Sequence, residues 1–130
     1  MKMTYGIEGG VIRIRQEGEF DVDVFISTLV RVVADPAYRP AMPVLADVTQ
    51  MRSQVDFAGM EKIRGALMAG ALAAFRPRRY AIYTPAPMYD VMARLYSEVI
   101  VAPEPSLAGR IEIRNFPTEV EALAWVRASL

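Results

Sequence analysis

The chain has neither cysteine nor histidine among its 130 residues. Without cysteine there is no disulfide, no thiolate nucleophile, no zinc–cysteine centre and no iron–sulfur cluster. Without histidine, Ser–His–Asp and Cys–His relays and imidazole–metal sites are excluded, and the commonest general base near neutral pH is missing. Catalysis would have to rest on Asp, Glu, Lys, Tyr or Arg, or on a borrowed cofactor, and no motif names one. The expected cofactor set is therefore empty. Charge of one sign is lacking too: Lys plus Arg is 15 and Asp plus Glu is 15. Neither half of the chain forms a basic or acidic tail. Nucleic acid calls for a basic face and is not an expected partner. No run approaches the roughly 18–20 apolar residues of a membrane span. The opening MKMTYGIEGG has no apolar signal-peptide core. Cytoplasmic residence is the resulting expectation.

What the chain does have is apolar bulk. Hydrophobic residues make up 53% and charged residues 23% of a 14.5 kDa chain. That is one domain's worth of material, and a single domain over 1–130 is expected. Thr4–Ile7 and Val11–Gln16 read as strands joined by Glu8-Gly9-Gly10, because glycine tolerates the positive φ of a tight hairpin. Ile12 and Ile14 alternate with Arg13 and Arg15, the period of a half-buried strand. Asp21 or Asp23 caps a first helix carrying Phe25, Ile26, Leu29, Val32 and Val33, which stops at Ala34-Asp35-Pro36. Val44–Val48 is a short buried-strand run. Asp56 opens a second helix through Phe57, Met60, Ile63, Leu67, Ala71 and Ala74. Gly65 and Gly70 weaken it by about 1 kcal/mol each relative to Ala, and offer close approach to another backbone.

Arg79–Thr84 reads as a further strand, stopped by Pro85 and Pro87. Met88, Val91, Met92, Leu95 and Val99 mark a third helix ended by Pro103 and Pro105. Gly109 precedes a last strand, Arg110–Phe116. Thr118 with Glu121 is a capping-box signature for a final helix with Val120, Leu123, Ala124 and Trp125. The order predicts an α/β fold: a mixed sheet of about five strands, opening with an antiparallel hairpin and then alternating with about four helices.

Few constellations carry chemistry. Asp47 and Thr84 end strands, as in phosphoreceiver domains, but the acidic pair after strand one and the Lys after the last strand are absent. They read as loop-stabilising residues. Arg76, Arg78 and Arg79 have the chemistry of an anion site, against a plain solvated turn before a strand. Gly9-Gly10 lacks phosphate-loop spacing. The Ser and Thr residues have no visible base, and the carboxylates show no metal-binding motif, so no metal is expected. Tyr89 and Tyr96 are seven apart on one helix face with Met92 between them. This stripe, with Met88, is either core or an adaptable apolar surface or pocket.

Several segments together resemble small bacterial STAS-like proteins, related in fold to anti-sigma-factor antagonists and CRAL-TRIO lipid-binding domains. These are the hairpin, the Gly18-Glu19-Phe20 lead into helix one, residues 34–40, strands 44–47 and 79–83, helix 92–96, and the closing Phe116 to Trp125. The resemblance implies a non-enzymatic module that binds a protein or a small apolar ligand. In anti-sigma-factor antagonists an Asp-Ser-Ser-Gly-type turn at the start of the second helix is phosphorylated. The matching stretch here is Asp56-Phe57-Ala58-Gly59, with no hydroxyl at either Ser position, so that control is not carried over. Ser53 lies upstream.

The expected working surface combines Asp56 and Phe57 at the start of helix two with the Met88–Tyr96 helix, engaging a protein partner or a second copy in a homodimer. The alternative is a carrier of a small apolar or lipid-like ligand, with Tyr83, Tyr89, Met92 and Tyr96 around its pocket. A carboxylate- and metal-dependent enzyme is the remaining, less favoured, expectation.

Overall fold

The computed structural model describes residues 1–86, 88–104 and 111–130. Pro87, Pro105, Gly109 and Arg110, invoked above as boundary signals, lie outside the described residues, as does the side chain of Met88. Five strands form one sheet in the order β1-β2-β3-β4-β5: β1 Lys2–Glu8, β2 Val11–Gly18, β3 Val44–Met51, β4 Arg79–Tyr83 and β5 Glu112–Phe116. β1 pairs with β2 antiparallel, and every later pairing is parallel. Gly9 and Gly10 take φ of 59° and 78° in the hairpin turn, a conformation a β-carbon would penalise.

The helices are α1 Val22–Ala34, α2 Phe57–Ala69, α3 Met88–Leu95 and α4 Glu119–Arg127. Their starts follow local chemistry. The Asp21 carboxylate accepts from the Asp23 and Val24 N–H groups, Asp56 from Gly59, and the Thr118 hydroxyl from Glu121. A π-helical turn, Tyr96–Val101, continues α3 directly.

Strand order follows chain order without reversal. Parallel crossovers are nearly always right-handed, so the helices between successive parallel strands should fall on one face. They do. Phe25, Leu29 and Val32 of α1, Met60, Ile63 and Leu67 of α2, and Met92, Ala93 and Ile100 of α3 and its continuation share a core with Ile12, Ile14, Val44, Ala46, Val48 and Ile82. The other face is covered by α4, whose Ala122 and Val126 pack on Val11, Leu45 and Ala81. Trp125 packs 5.3 Å from Phe116, with the Arg79 guanidinium 4.9 Å and the Arg114 guanidinium 5.5 Å from its ring centre.

Three expectations need correction. α2 ends at Ala69 with Gly70 as its cap, so Ala71 and Ala74 are not helical. The buried stripe of α4 is Ala122 and Val126, and Val120 is 79% exposed. A β-carbon at Gly65 would meet no described atom of another element within 4 Å, so no described backbone packs closely there.

Gly59 is the opposite case. A β-carbon there would stand 2.6 Å from Val55 Cγ2 and 3.1 Å from Asp56 Oδ1, inside the α2 cap. Gly65→Ala should therefore raise stability by about 0.5–1 kcal/mol. Gly59→Ala should lower it by about 1–3 kcal/mol, the usual cost of overpacking. Urea midpoints of the two variants check both signs.

Candidate functional site

The helix-rich face of the sheet is incompletely filled. A cavity of about 90 Å³, taken as the space open to water centres, lies between the sheet, α1, α2 and the α3–π wall. Its sheet side comprises Gln16 of β2, Ala46 and Val48 of β3, Tyr80 and Ile82 of β4, and Ile113 of β5. Ala46 stands between Ile14 and Ile82 in register. A methyl group between two isoleucines leaves room above it.

The helical wall arises from two repeats in series. Tyr89, Met92 and Tyr96 recur at α-helical spacing and face the cavity. At Tyr96 the helix widens, with the Ala102 N–H donating to the Ser97 carbonyl, five residues back. That wider turn brings Ile100 and Val101 onto the cavity together. Such π segments are rare and concentrate at functional sites. A second irregularity lies across the cavity: the β2–β3 register shifts between Arg15 and Glu17, at Gln16. The extra residue is on β3, where Val48 and Thr49 stand opposite Gln16, and Gln16 keeps the parity of Ile12 and Ile14. Gln16 is 4% exposed and lines the cavity, its Nε2 donating to Met1 Sδ at 3.8 Å.

Three phenols meet this space. No described residue hydrogen-bonds the hydroxyl of Tyr80, Tyr89 or Tyr96. Nor are these oxygens sealed in packed protein, since Asn115 Oδ1 alone among described side-chain atoms is both buried and unpartnered. Burial pushes the ionisation of all three upward. For Tyr96 the neighbouring Tyr80 and Tyr89 phenols add to the rise, which places the three together. They are neutral hydrogen-bond donors throughout the physiological range. Among the described residues, no Asp, Glu, Lys or Arg lines the cavity.

The residues singled out in the sequence are distributed as follows. Tyr89, Met92 and Tyr96 come together on the cavity. Tyr83 does not join them: it packs on the opposite face with Phe116 and Trp125 beneath α4. Tyr80, three residues earlier and of opposite strand parity, takes that place. Asp56 and Phe57 lie outside the cavity, Asp56 capping α2 and Phe57 standing 68% exposed beside it. Met88 begins α3. Ser53 lines the cavity and accepts from the Phe20 N–H at 2.8 Å, joining the β2–α1 and β3–α2 loops.

The remaining polar candidates are held in structural bonds. Arg76 donates to the Leu67 and Phe75 carbonyls, Arg78 to Ser129 and Arg79 to Trp125, which ties the ends of α2 and α4 to the sheet. Asp47 accepts from the Thr49 N–H and hydroxyl, and Thr84 from the Ala86 N–H. Among the described residues, no three acidic side chains gather as a cation site. No described helix is long and apolar enough to cross a membrane.

An antiparallel hairpin followed by parallel strands, with three helices on one face and one on the other, is a SpoIIAA-like, or STAS-like, architecture. Solved structures bear this out. The chain is similar to the crystal structure of an uncharacterized protein of the DUF3478 family, with a SpoIIAA-like fold, from Shewanella loihica PV-4. The two superpose with a TM-score of 0.62 over 95% of this chain and 93% of that one, at 18% sequence identity. The likeness is one of fold. No protein-family model and no curated protein matches the sequence.

Two outcomes follow from the phenols. Removing a hydroxyl that has no protein partner costs no internal hydrogen bond. Tyr80→Phe and Tyr96→Phe should therefore leave the urea midpoint unchanged or raised. A drop of about 1 kcal/mol or more in either would mean the hydroxyl is engaged with protein. The second outcome concerns pH. An unfolded tyrosine releases its proton near pH ~10, whereas folded Tyr80 and Tyr96 hold theirs well beyond it. Their contribution to stability is complete below pH ~10 and is lost as pH rises toward the folded values. In an ultraviolet titration these two of the six tyrosines should ionise only as the protein unfolds.

Proposed function

We propose that this chain is a non-enzymatic binding domain that takes a small apolar ligand into the cavity between the sheet and the α3–π wall. One observation carries the reading: an interior space of about 90 Å³ with an aliphatic and aromatic lining and a few inward-facing polar groups. Ligand pockets commonly have this make-up. The described lining offers no acid–base pair and no activated nucleophile, which supports binding as its chemistry. Gln16, Tyr80, Tyr89 and Tyr96 orient the ligand, and Ala46 makes the room. In this reading the domain acts in the cytoplasm as a carrier or a ligand-dependent regulator.

Contact with a protein is a second reading, favoured by one specific feature. Phe57 is 68% exposed at the first position of α2, and Val91 is 56% exposed on α3. Single exposed apolar residues are ordinary. Phe57, however, occupies the turn that carries regulation in the anti-sigma-factor antagonists the sequence resembles. A partner protein or a second copy would cover it.

Native mass spectrometry of freshly purified protein, alongside Ala46→Leu and Phe57→Asp variants, separates the readings. Extra mass that is lost on denaturation and absent from Ala46→Leu supports the cavity. A dimer that Phe57→Asp converts to monomer supports the contact surface. A bare monomer in every sample, together with no gain in thermal stability on adding toluene, would contradict the first reading.

A further inference from the structure

The lining of the cavity restricts what can occupy it, and the restriction deepens the binding function proposed above, on which it rests. We infer that the cavity selects an uncharged ligand of one or two rings that carries a hydrogen-bond acceptor, such as a ketone or quinone-type carbonyl, held by the phenols of Tyr80 and Tyr96.

Size gives the first limit. A water needs about 10–15 Å³ of space open to its centre, so 90 Å³ holds on the order of six to nine waters. That is the bulk of one or two rings, well short of a membrane lipid's acyl chains. Charge gives the second. No described lining side chain is ionic, so an ionised ligand would leave its hydration with no counter-charge from them in return. Polar matching gives the third. The phenols of Tyr80 and Tyr96 border the cavity, and no described residue accepts from them. A purely aliphatic occupant would strip water from both and leave them unpaired, at a cost comparable to that of a lost hydrogen bond. A carbonyl oxygen has two lone pairs and can accept from both.

Gln16 lies two strand spacings from β4 and four residues along from Ile12, the residue in register with Tyr80, which together put it roughly 16 Å from Tyr80 along the sheet. The polar groups thus stand at the two ends of an apolar midsection made by Ala46, Ile82 and Met92. A ring in the middle with an acceptor at the tyrosine end matches that distribution.

The test uses the full chain and three probes of one size: acetophenone, ethylbenzene and benzoate, titrated by heteronuclear NMR. The expected result is saturable binding of acetophenone at least tenfold tighter than ethylbenzene, with no binding of benzoate. Tyr80→Phe and Tyr96→Phe, singly and together, should erase the acetophenone preference while leaving ethylbenzene affinity intact. Equal binding of acetophenone and ethylbenzene would overturn the acceptor requirement yet leave the apolar cavity as the site. Binding of benzoate as tight as acetophenone would overturn the requirement for an uncharged ligand. Failure of all three probes would overturn the binding function itself.

Discussion

Burial of one sheet face beneath three successive helical segments is the constraint on which the rest of this structure depends. Parallel strands need crossovers, and crossovers of one hand along an unreversed strand order send every helix to the same side. α1, α2 and α3 with its π-helical continuation therefore compete for one surface, while α4 alone covers the other. On the α4 side a small set packs together, Val11, Leu45, Ala81, Ala122 and Val126, with the Arg79 and Arg114 guanidiniums against the Trp125 ring. The crowded side is where packing is imperfect, and the imperfection is the cavity.

That imperfection has definite origins. Ala46 sits in the middle of the sheet where a larger residue would fill the space. Strand alternation puts Gln16 on the same face as Ile12 and Ile14, and the π turn brings Tyr96, Ile100 and Val101 onto one wall. Interiors normally pack to crystal-like density, and a buried hydroxyl normally finds a partner. The fold departs from the first rule beside three phenols whose hydroxyls border the cavity and have no partner among the described residues. Departures from local consistency of this kind are expected where function sits.

Much of the architecture was legible in the chain because each element carries its own signal. The Gly9-Gly10 turn, the Asp21, Asp56 and Thr118 caps and the alternation in β2 depend on neighbours in sequence, so a linear reading captures them. What it could not reach depends on the third dimension. Tyr83 and Tyr80 are both strand tyrosines, and only knowledge of which face carries three helices tells which one meets the cavity. Parity with Ile82 was the available signal, since Tyr80 and Ile82 share a face. Val120 and Leu123 carry helical spacing, yet the rotation of α4 is set by the small Ala122 fitting against the sheet. The bulge at Gln16 and the π turn after Leu95 leave no mark that periodicity detects. Asp56 was legible as a cap and is one. The three arginines 76, 78 and 79 could not be told from an anion site until the carbonyls at the ends of α2 and α4 were seen to take their N–H groups.

Ligand binding of any kind here requires an apolar space beneath the α3–π wall. Diffraction from crystals pressurised with xenon tests that most directly, because xenon enters dry apolar cavities and little else. A xenon peak is expected among Ala46, Ile82 and Met92, and it should disappear in Ala46→Leu. No peak, with side chains of α1 and α3 packed down onto Ala46, would contradict it.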